Sequence, residues 1–249
     1  MERVENRFVC GLRDGIPIGL GYVSVAFTFG IMAVMGGLPV WAALLISMTN
    51  VTSAGQFAGL NLMLAGGSYF EVAATQLVIN MRYALMSVSV SQKLKDGVNT
   101  LNRMGIAFGV TDEIFAVATT KPNSVGPRYM YGLIAVPYIG WSLGTLLGAV
   151  SGMILPESIR SALGIAIYGM FIAIVVPPSR DSRAVLVVTI AAALLSAAFY
   201  WVPLMNNISS GFAIIICTVV CAGAAALLAP IPSDGAEEDI SRKEPQTNG

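Results

Sequence analysis

The stretch Ser47-Met48-Thr49-Asn50-Val51-Thr52-Ser53-Ala54-Gly55-Gln56-Phe57 decides how this chain must fold. Apolar sequence flanks it, Trp41 to Ile46 before and Leu60 to Ala65 after. The whole run, 41–65, is long enough to cross a bilayer as a helix, for which ~20 residues suffice. Its centre nevertheless carries hydroxyl and amide side chains and a glycine. Hydrocarbon offers no hydrogen bonds, so each such group costs free energy unless protein or enclosed water satisfies it. The segment is therefore expected to be broken or re-entrant and to line a site.

Apolar runs recur outward from it, at approximately 15–37, 70–91, 104–120, 129–154, 159–177, 184–202 and 209–229. Hydrophobic residues make up 55% of the 249 and charged residues only 11%, with a mean hydropathy of +0.74. Soluble domains average about 25% charged residues. The composition points to an all-α, polytopic membrane helical bundle of about 7–8 transmembrane segments, forming one domain over 15–230 in the lipid bilayer. Residues 1–14 read as an N-terminal cytoplasmic segment that is not a cleaved signal, and 231–249 as a disordered polar C-terminal tail.

Several function classes are disfavoured. The net charge is zero and no basic arm suggests nucleic acid. Histidine is absent, which removes the commonest metal ligand and the usual catalytic base. Cys10, Cys217 and Cys221 have no zinc spacing. No GxSxG, paired aspartyl motif or P-loop occurs. No enzyme, metal site or cofactor is expected.

Lys and Arg in the loops set orientation. If all eight segments cross, one side holds nine of them (Arg3, Arg7, Arg13, Lys121, Arg128, Arg180, Arg183, Arg242, Lys243) and the other four (Lys93, Lys95, Arg103, Arg160). Both termini are then cytoplasmic, but the basic 92–103 loop lies outside. If 41–65 dips in and returns, that loop moves inside, the C-terminus moves outside, and the tally is seven against six. The rule favours eight spans.

Gly140, Gly144, Gly148 and Gly152 recur every fourth residue and make one flat helical stripe. Such stripes let helix backbones approach closely in membranes. The stripe serves packing, or a surface that slides or meets another subunit. Gly15-Ile16-Pro17 resembles Ala135-Val136-Pro137, and both helices end at Leu-Pro, 38–39 and 155–156. Ala54–Gly59 resembles Tyr168–Ala173 in the same order. A transporter built from two related halves would show such a repeat.

Chemistry concentrates in three segments. Gln76, Asn80, Tyr83 and Ser87 share one helical face. Arg82 sits mid-helix, where an unpaired charge is costly. It reads either as half of a structural ion pair or as a guanidinium for a carboxylate substrate. Asp112 and Glu113, ~100° apart on a helix, supply partners. One carboxylate can pair with Arg82 while the other faces a cavity and carries the coupling proton. Alternatively both neutralise Arg82 and cap a broken helix. Asn50, Ser53 and Phe57 line one face of the opening stretch and Gln56 the adjoining edge, and Gly55 permits a break whose free N–H groups suit an anion. These polar groups serve as a substrate seat or as interhelical hydrogen-bonding glue.

The motifs Gly15-Ile16-Pro17-Ile18-Gly19-Leu20-Gly21-Tyr22, Ser53-Ala54-Gly55-Gln56-Phe57-Ala58, Asn80-Met81-Arg82-Tyr83-Ala84-Leu85, Thr111-Asp112-Glu113-Ile114-Phe115, Pro137-Tyr138-Ile139-Gly140-Trp141 and Met170-Phe171-Ile172-Ala173 occur in this order. Together they resemble the AzlC-type branched-chain amino-acid permeases, the large subunit of an amino-acid export system. Two positions depart from that pattern: Ser53-Ala54-Gly55 stands where Gly-Ser-Ala is usual, and Tyr83 where histidine is frequent. The resemblance implies a multi-pass protein of the bacterial cytoplasmic (inner) membrane that exports branched-chain amino acids. It also implies a proton-driven secondary transporter with a small AzlD-type membrane subunit as partner. Asn50, Ser53, Gly55, Gln56, Phe57, Asn80 and Arg82 are then the expected substrate-binding residues, and Asp112 and Glu113 the proton-coupling ones.

Overall fold

A computed structural model of the chain describes residues 6–154 and 182–228 apart from 204, 206 and 207, with scattered positions between 156 and 180. The Tyr168–Phe171 repeat, most of the sixth apolar segment and the 231–249 tail lie outside the described residues. The described residues form nine helices: α1 (Phe8–Met35), α2 (Val40–Thr49), α3 (Ser53–Leu64), α4 (Tyr69–Lys93), α5 (Thr100–Gly109), α6 (Asp112–Thr119), α7 (Pro127–Ile154), α8 (Arg183–Trp201) and α9 (Ser210–Leu228). Helices α1, α7, α8 and α9 are long and apolar enough to cross a membrane. The protein is a multi-pass membrane helical bundle.

Helices α1 and α7 are its spine. They run parallel with their backbones in contact, because small residues line both facing stripes. A methyl added at Gly140 would lie 2.5 Å from the Gly19 carbonyl oxygen, at Gly144 2.5 Å from that of Val23, and at Gly148 1.9 Å from that of Phe27. From the other side, a methyl at Gly30 would lie 2.2 Å from the Thr145 carbonyl oxygen. Gly152 is looser, 3.3 Å from Ile31 Cα by the same measure. The glycine stripe of α7 is thus occupied by α1 of the same chain.

The second segment is broken, as its polar centre requires. α2 starts beside the end of α1, after a turn in which Gly37 takes φ +94°. It descends to half-depth, where Ser47 meets Thr145 and Tyr138 donates to the Met48 carbonyl. Extended residues at 50–52 reverse the chain. α3 then climbs back: Phe57 packs edge-on against Phe29, and Leu64 meets Gly36 at the end of α1. The two half-helices form a hairpin that enters and leaves by one end.

The fourth segment does the same from the opposite end. α4 leads there, because Lys93 and Lys95 bond to Val125, just before α7 begins. α5 rises past Tyr131 to Phe108, whose ring meets Tyr138. The chain turns at Val110-Thr111, and α6 returns until Lys121 pairs with Asp14 at 2.8 Å. Each turning point has the same local cause. A threonine in extended conformation caps the returning half-helix: Thr52 accepts from Gly55 N and Thr111 from Ile114 N, both at 3.4 Å.

Each hairpin has its own apolar base. Phe29, Ala33, Ala43, Phe57 and Leu60 hold the first. Val90, Ile106, Ile114, Ala118, Met130 and Leu133 hold the second. The units α1–α3 and α4–α6 are therefore inverted copies in arrangement, each a long helix followed by a hairpin.

This differs from eight full spans, the arrangement favoured by the tally of loop charges. With both 41–65 and 104–120 folded back, the 94–99 turn moves to the end where α1 and α7 begin. Arg7, Lys93, Lys95, Lys121 and Arg128 now share that end. At the other end, the connections 36–39, 65–68 and 202–209 contain no Lys or Arg.

Candidate functional site

The two hairpin tips meet at a cavity of about 320 Å³. Val51, Thr52 and Ser53 line it from the first tip, and Thr111, Asp112 and Glu113 from the second. Pro17, Ile18, Gly21, Tyr22 and Val25 of α1 also line it, with Tyr83 of α4 and Trp141 of α7. Both returning half-helices begin here, so two helix N-termini direct unpaired N–H groups and partial positive charge toward the same space. The apolar part of the lining comes from Ile18, Val25, Val51 and the ring of Trp141.

Charge in the cavity is unbalanced. Arg82 pairs with Asp112 at 3.0 Å. Glu113 forms no ion pair among the described residues. Its partner is the Tyr22 hydroxyl, which donates to Oε2 and also lies 2.7 Å from Thr111 Oγ1. Tyr22 in turn stacks edge-on against Trp141, with ring centroids 5.2 Å apart.

A chain of polar contacts links the tips. Arg82 Nη2 donates to the Tyr83 hydroxyl at 3.1 Å, and Tyr83 donates to Thr52 Oγ1 at 3.2 Å. Asp112 at one tip is thereby connected to Thr52 at the other. The first hairpin is also bolted to the spine by a buried network. Trp141 Nε1 donates to Gln56 Oε1 at 3.1 Å, Gln56 Nε2 donates to Ser47, and Ser47 shares a hydrogen with Thr145 at 2.6 Å.

Of the residues expected to bind substrate, only Ser53 lines the cavity, together with both expected coupling acids. Gln56 is 1% exposed and consumed by the buried network. Phe57 packs in the hairpin base. Gln76 gathers Asn50, Asn80 and the Gly55 carbonyl into a clamp between α3 and α4. Gly55 allows that approach, since a methyl there would sit 2.8 Å from Gln76 Oε1. Arg82 lies behind the lining, reaching it through Asp112 and Tyr83. Tyr83, read as part of the polar face of α4, lines the cavity without having been expected to bind substrate; Tyr22, Trp141 and the two capping threonines carry no role in the reading of the sequence. A polar aromatic in the middle of an apolar helix, shortly after proline, is the signal that marks Tyr22 and Trp141.

Comparison with known proteins places this arrangement. The family model described as AzlC protein matches residues 17–155, a span that contains every cavity-lining residue. The chain is 33% identical over 169 residues to an uncharacterized membrane protein of Archaeoglobus fulgidus, covering 67% of this chain and 74% of that protein. It is 30% identical over 171 residues to the inner membrane protein YgaZ of Escherichia coli, covering 66% and 70%. An uncharacterized membrane protein of Helicobacter pylori is 27% identical over 155 residues, covering 59% and 67%. No solved structure matches. This multi-pass membrane protein belongs to the AzlC family.

Proposed function

We propose that the chain is the transporting subunit of a secondary exporter of branched-chain amino acids, exchanging them for protons across a bacterial cytoplasmic membrane. The observation that carries this reading is Glu113, an ion-unpaired carboxylate facing a half-depth cavity between two opposed hairpins. A carboxylate there can hold a substrate ammonium or a proton, not both at once. That competition is what couples outward movement of substrate to inward movement of protons. The N-terminus of α3, at Ser53 and Ala54, suits the substrate carboxylate. Ile18, Val25, Val51 and Trp141 suit an aliphatic side chain.

The hairpins supply the access. Each tip closes the cavity from one end, so withdrawing one at a time gives alternating access. The basic end, with Arg7, Lys93, Lys95, Lys121 and Arg128, faces the cytoplasm by the positive-inside rule. The N-terminus is then cytoplasmic. A small AzlD-type membrane subunit completes the exporter.

Proteoliposomes loaded with labelled leucine test the reading. Reconstitution with the small subunit gives efflux that grows with an imposed pH gradient. Absence of gradient-dependent efflux from folded protein, with and without that subunit, overturns it.

A further inference from the structure

The ion pair Arg82–Asp112 lies at half-depth yet is not enclosed: each side chain is 46% exposed. Arg82 is the fourteenth of 25 residues in α4, about 20 Å from its start and about 17 Å from its end by helical rise, too far to reach water at the membrane surface. Part of the Asp112 exposure is to the cavity it lines, and whatever part of the pair meets hydrocarbon at this depth is costly. Only Nη2 of Arg82 is used, for Asp112 and Tyr83. Nε and Nη1 make no hydrogen bond among the described residues.

Beside Arg82 runs a helical face with no packing partner among the described residues. Phe70, Leu77, Met81 and Val88 are 71%, 67%, 55% and 59% exposed, and Leu85 is 72% exposed. With the exposed Ala73 and Ala84 between them, positions 70, 73, 77, 81, 84 and 88 recur every three or four residues, as in a helix-packing seam, with Leu85 beside it.

We infer that this face of α4, together with Asp112, is the docking surface for a membrane-spanning helix of a second, different chain. That helix presents a hydrogen-bond acceptor, a carboxylate or amide carbonyl, to the free Arg82 N–H groups at half-depth. The inference rests on the two-chain exporter proposed above and says where its subunits meet. A second copy of this chain fits less well. A two-fold axis normal to the bilayer brings equal depths together, so Arg82 would meet Arg82. Docking here also gives the partner a direct hold on the cavity, since Asp112 and Tyr83 line it.

The test uses the full chain co-expressed with the small subunit, with Cys10, Cys217 and Cys221 replaced by serine. Met81→Cys or Leu85→Cys is paired with single cysteines along each predicted helix of that subunit, and Val187→Cys on α8 and Val219→Cys on α9 serve as controls. Oxidation is expected to cross-link positions 81 and 85 to one helix of the small subunit and to leave 187 and 219 uncoupled. Arg82→Gln is expected to lower co-purification at least tenfold while Arg82→Lys retains part of it, with thermal unfolding confirming that both are folded. Co-purification with cross-links only from 187 or 219 overturns the docking surface. So do disulfides between two copies at position 85, or between that position and residues 155–181 of the same chain. Failure of the two chains to co-purify at all overturns the two-chain reading itself.

Discussion

Tyr22 donates its hydroxyl hydrogen to Glu113, tying the middle of α1 to the tip of the second hairpin. The bond crosses the cavity wall and holds the carboxylate that has no cationic partner among the described residues. Substrate or proton must compete with this contact, so opening the second tip and occupying Glu113 are one event in geometric terms.

Glu113→Gln keeps an acceptor for Tyr22 and removes the charge. A hydrogen bond to a charged group contributes about 1.5–3 kcal/mol. Labelled leucine is therefore expected to bind roughly 10–100-fold more weakly. The discriminating probe is 4-methylpentanoate, which lacks the amino group. Wild type should prefer leucine strongly over it, and Glu113→Gln should not. Retained discrimination would place the ammonium elsewhere. Tyr22→Phe should weaken binding less, because the carboxylate remains.

How far the sequence anticipates this site depends on the kind of signal. That the segment breaks was legible, because Asn50, Thr52 and Gln56 cannot face lipid in an unbroken helix; its place was not, since the chain turns at 50–52 and Gly55, the residue expected to permit the break, lies inside α3. That Arg82 pairs with an acid of the Asp112-Glu113 couple followed from the cost of either charge alone, but which of the two it takes was decided only by the structure. The second hairpin was harder to read. The run 104–120 is short enough to pass for one span, and Thr111 is a polar residue that a continuous helix also tolerates. That none of the expected amides, Asn50, Gln56 and Asn80, lines the cavity was not legible. Gln56 and Ser53 sit close in sequence, yet one is buried in a network with Trp141 and the other lines the space. Only the placement of α7 decides between them.

The spine should tolerate almost no added volume. Gly148→Ala places a methyl against the Phe27 carbonyl, and overpacking of this kind costs about 1–3 kcal/mol. Thermal unfolding in detergent should fall by several degrees for Gly148→Ala and Gly144→Ala. Gly21→Ala and Gly223→Ala, where no atom lies within 4 Å of the added methyl, should unfold like wild type. Equal behaviour of all four would mean that α1 and α7 are not in backbone contact.

Gln56→Leu is expected to be more damaging than its conservative volume suggests. It strands the Trp141 N–H in a buried setting, at about 1–3 kcal/mol for the unmet group, while Ser47 keeps its hydrogen bond to Thr145. Trp141→Phe removes the stranded donor, so in a double-mutant cycle with Gln56→Leu the combined loss should be smaller than the sum of the two single losses. Additive losses would mean that Trp141 and Gln56 are not energetically coupled.

The two hairpins make a topological prediction that does not depend on orientation. In a cysteine-free background, Asn6→Cys and Asp96→Cys should react with an impermeant maleimide from one side of the membrane, and Ala65→Cys from the other. If 41–65 and 104–120 both crossed, Ala65 would share a side with Asn6, and Asp96 would oppose them. The two schemes thus exchange the partners of Asn6, and the cost of the second is physical. It would put Lys93, Lys95 and Arg103, the basic loop that eight crossings leave on the less basic side, opposite Arg7, Arg13 and Lys121. Labelling intact cells and then permeabilised ones also reports which side is cytoplasmic. Asp96→Cys is expected to stay protected until permeabilisation. Reaction of Asp96→Cys and Ala65→Cys from the same side would mean that α4 itself does not cross, and with it both hairpins and the cavity between them would fall.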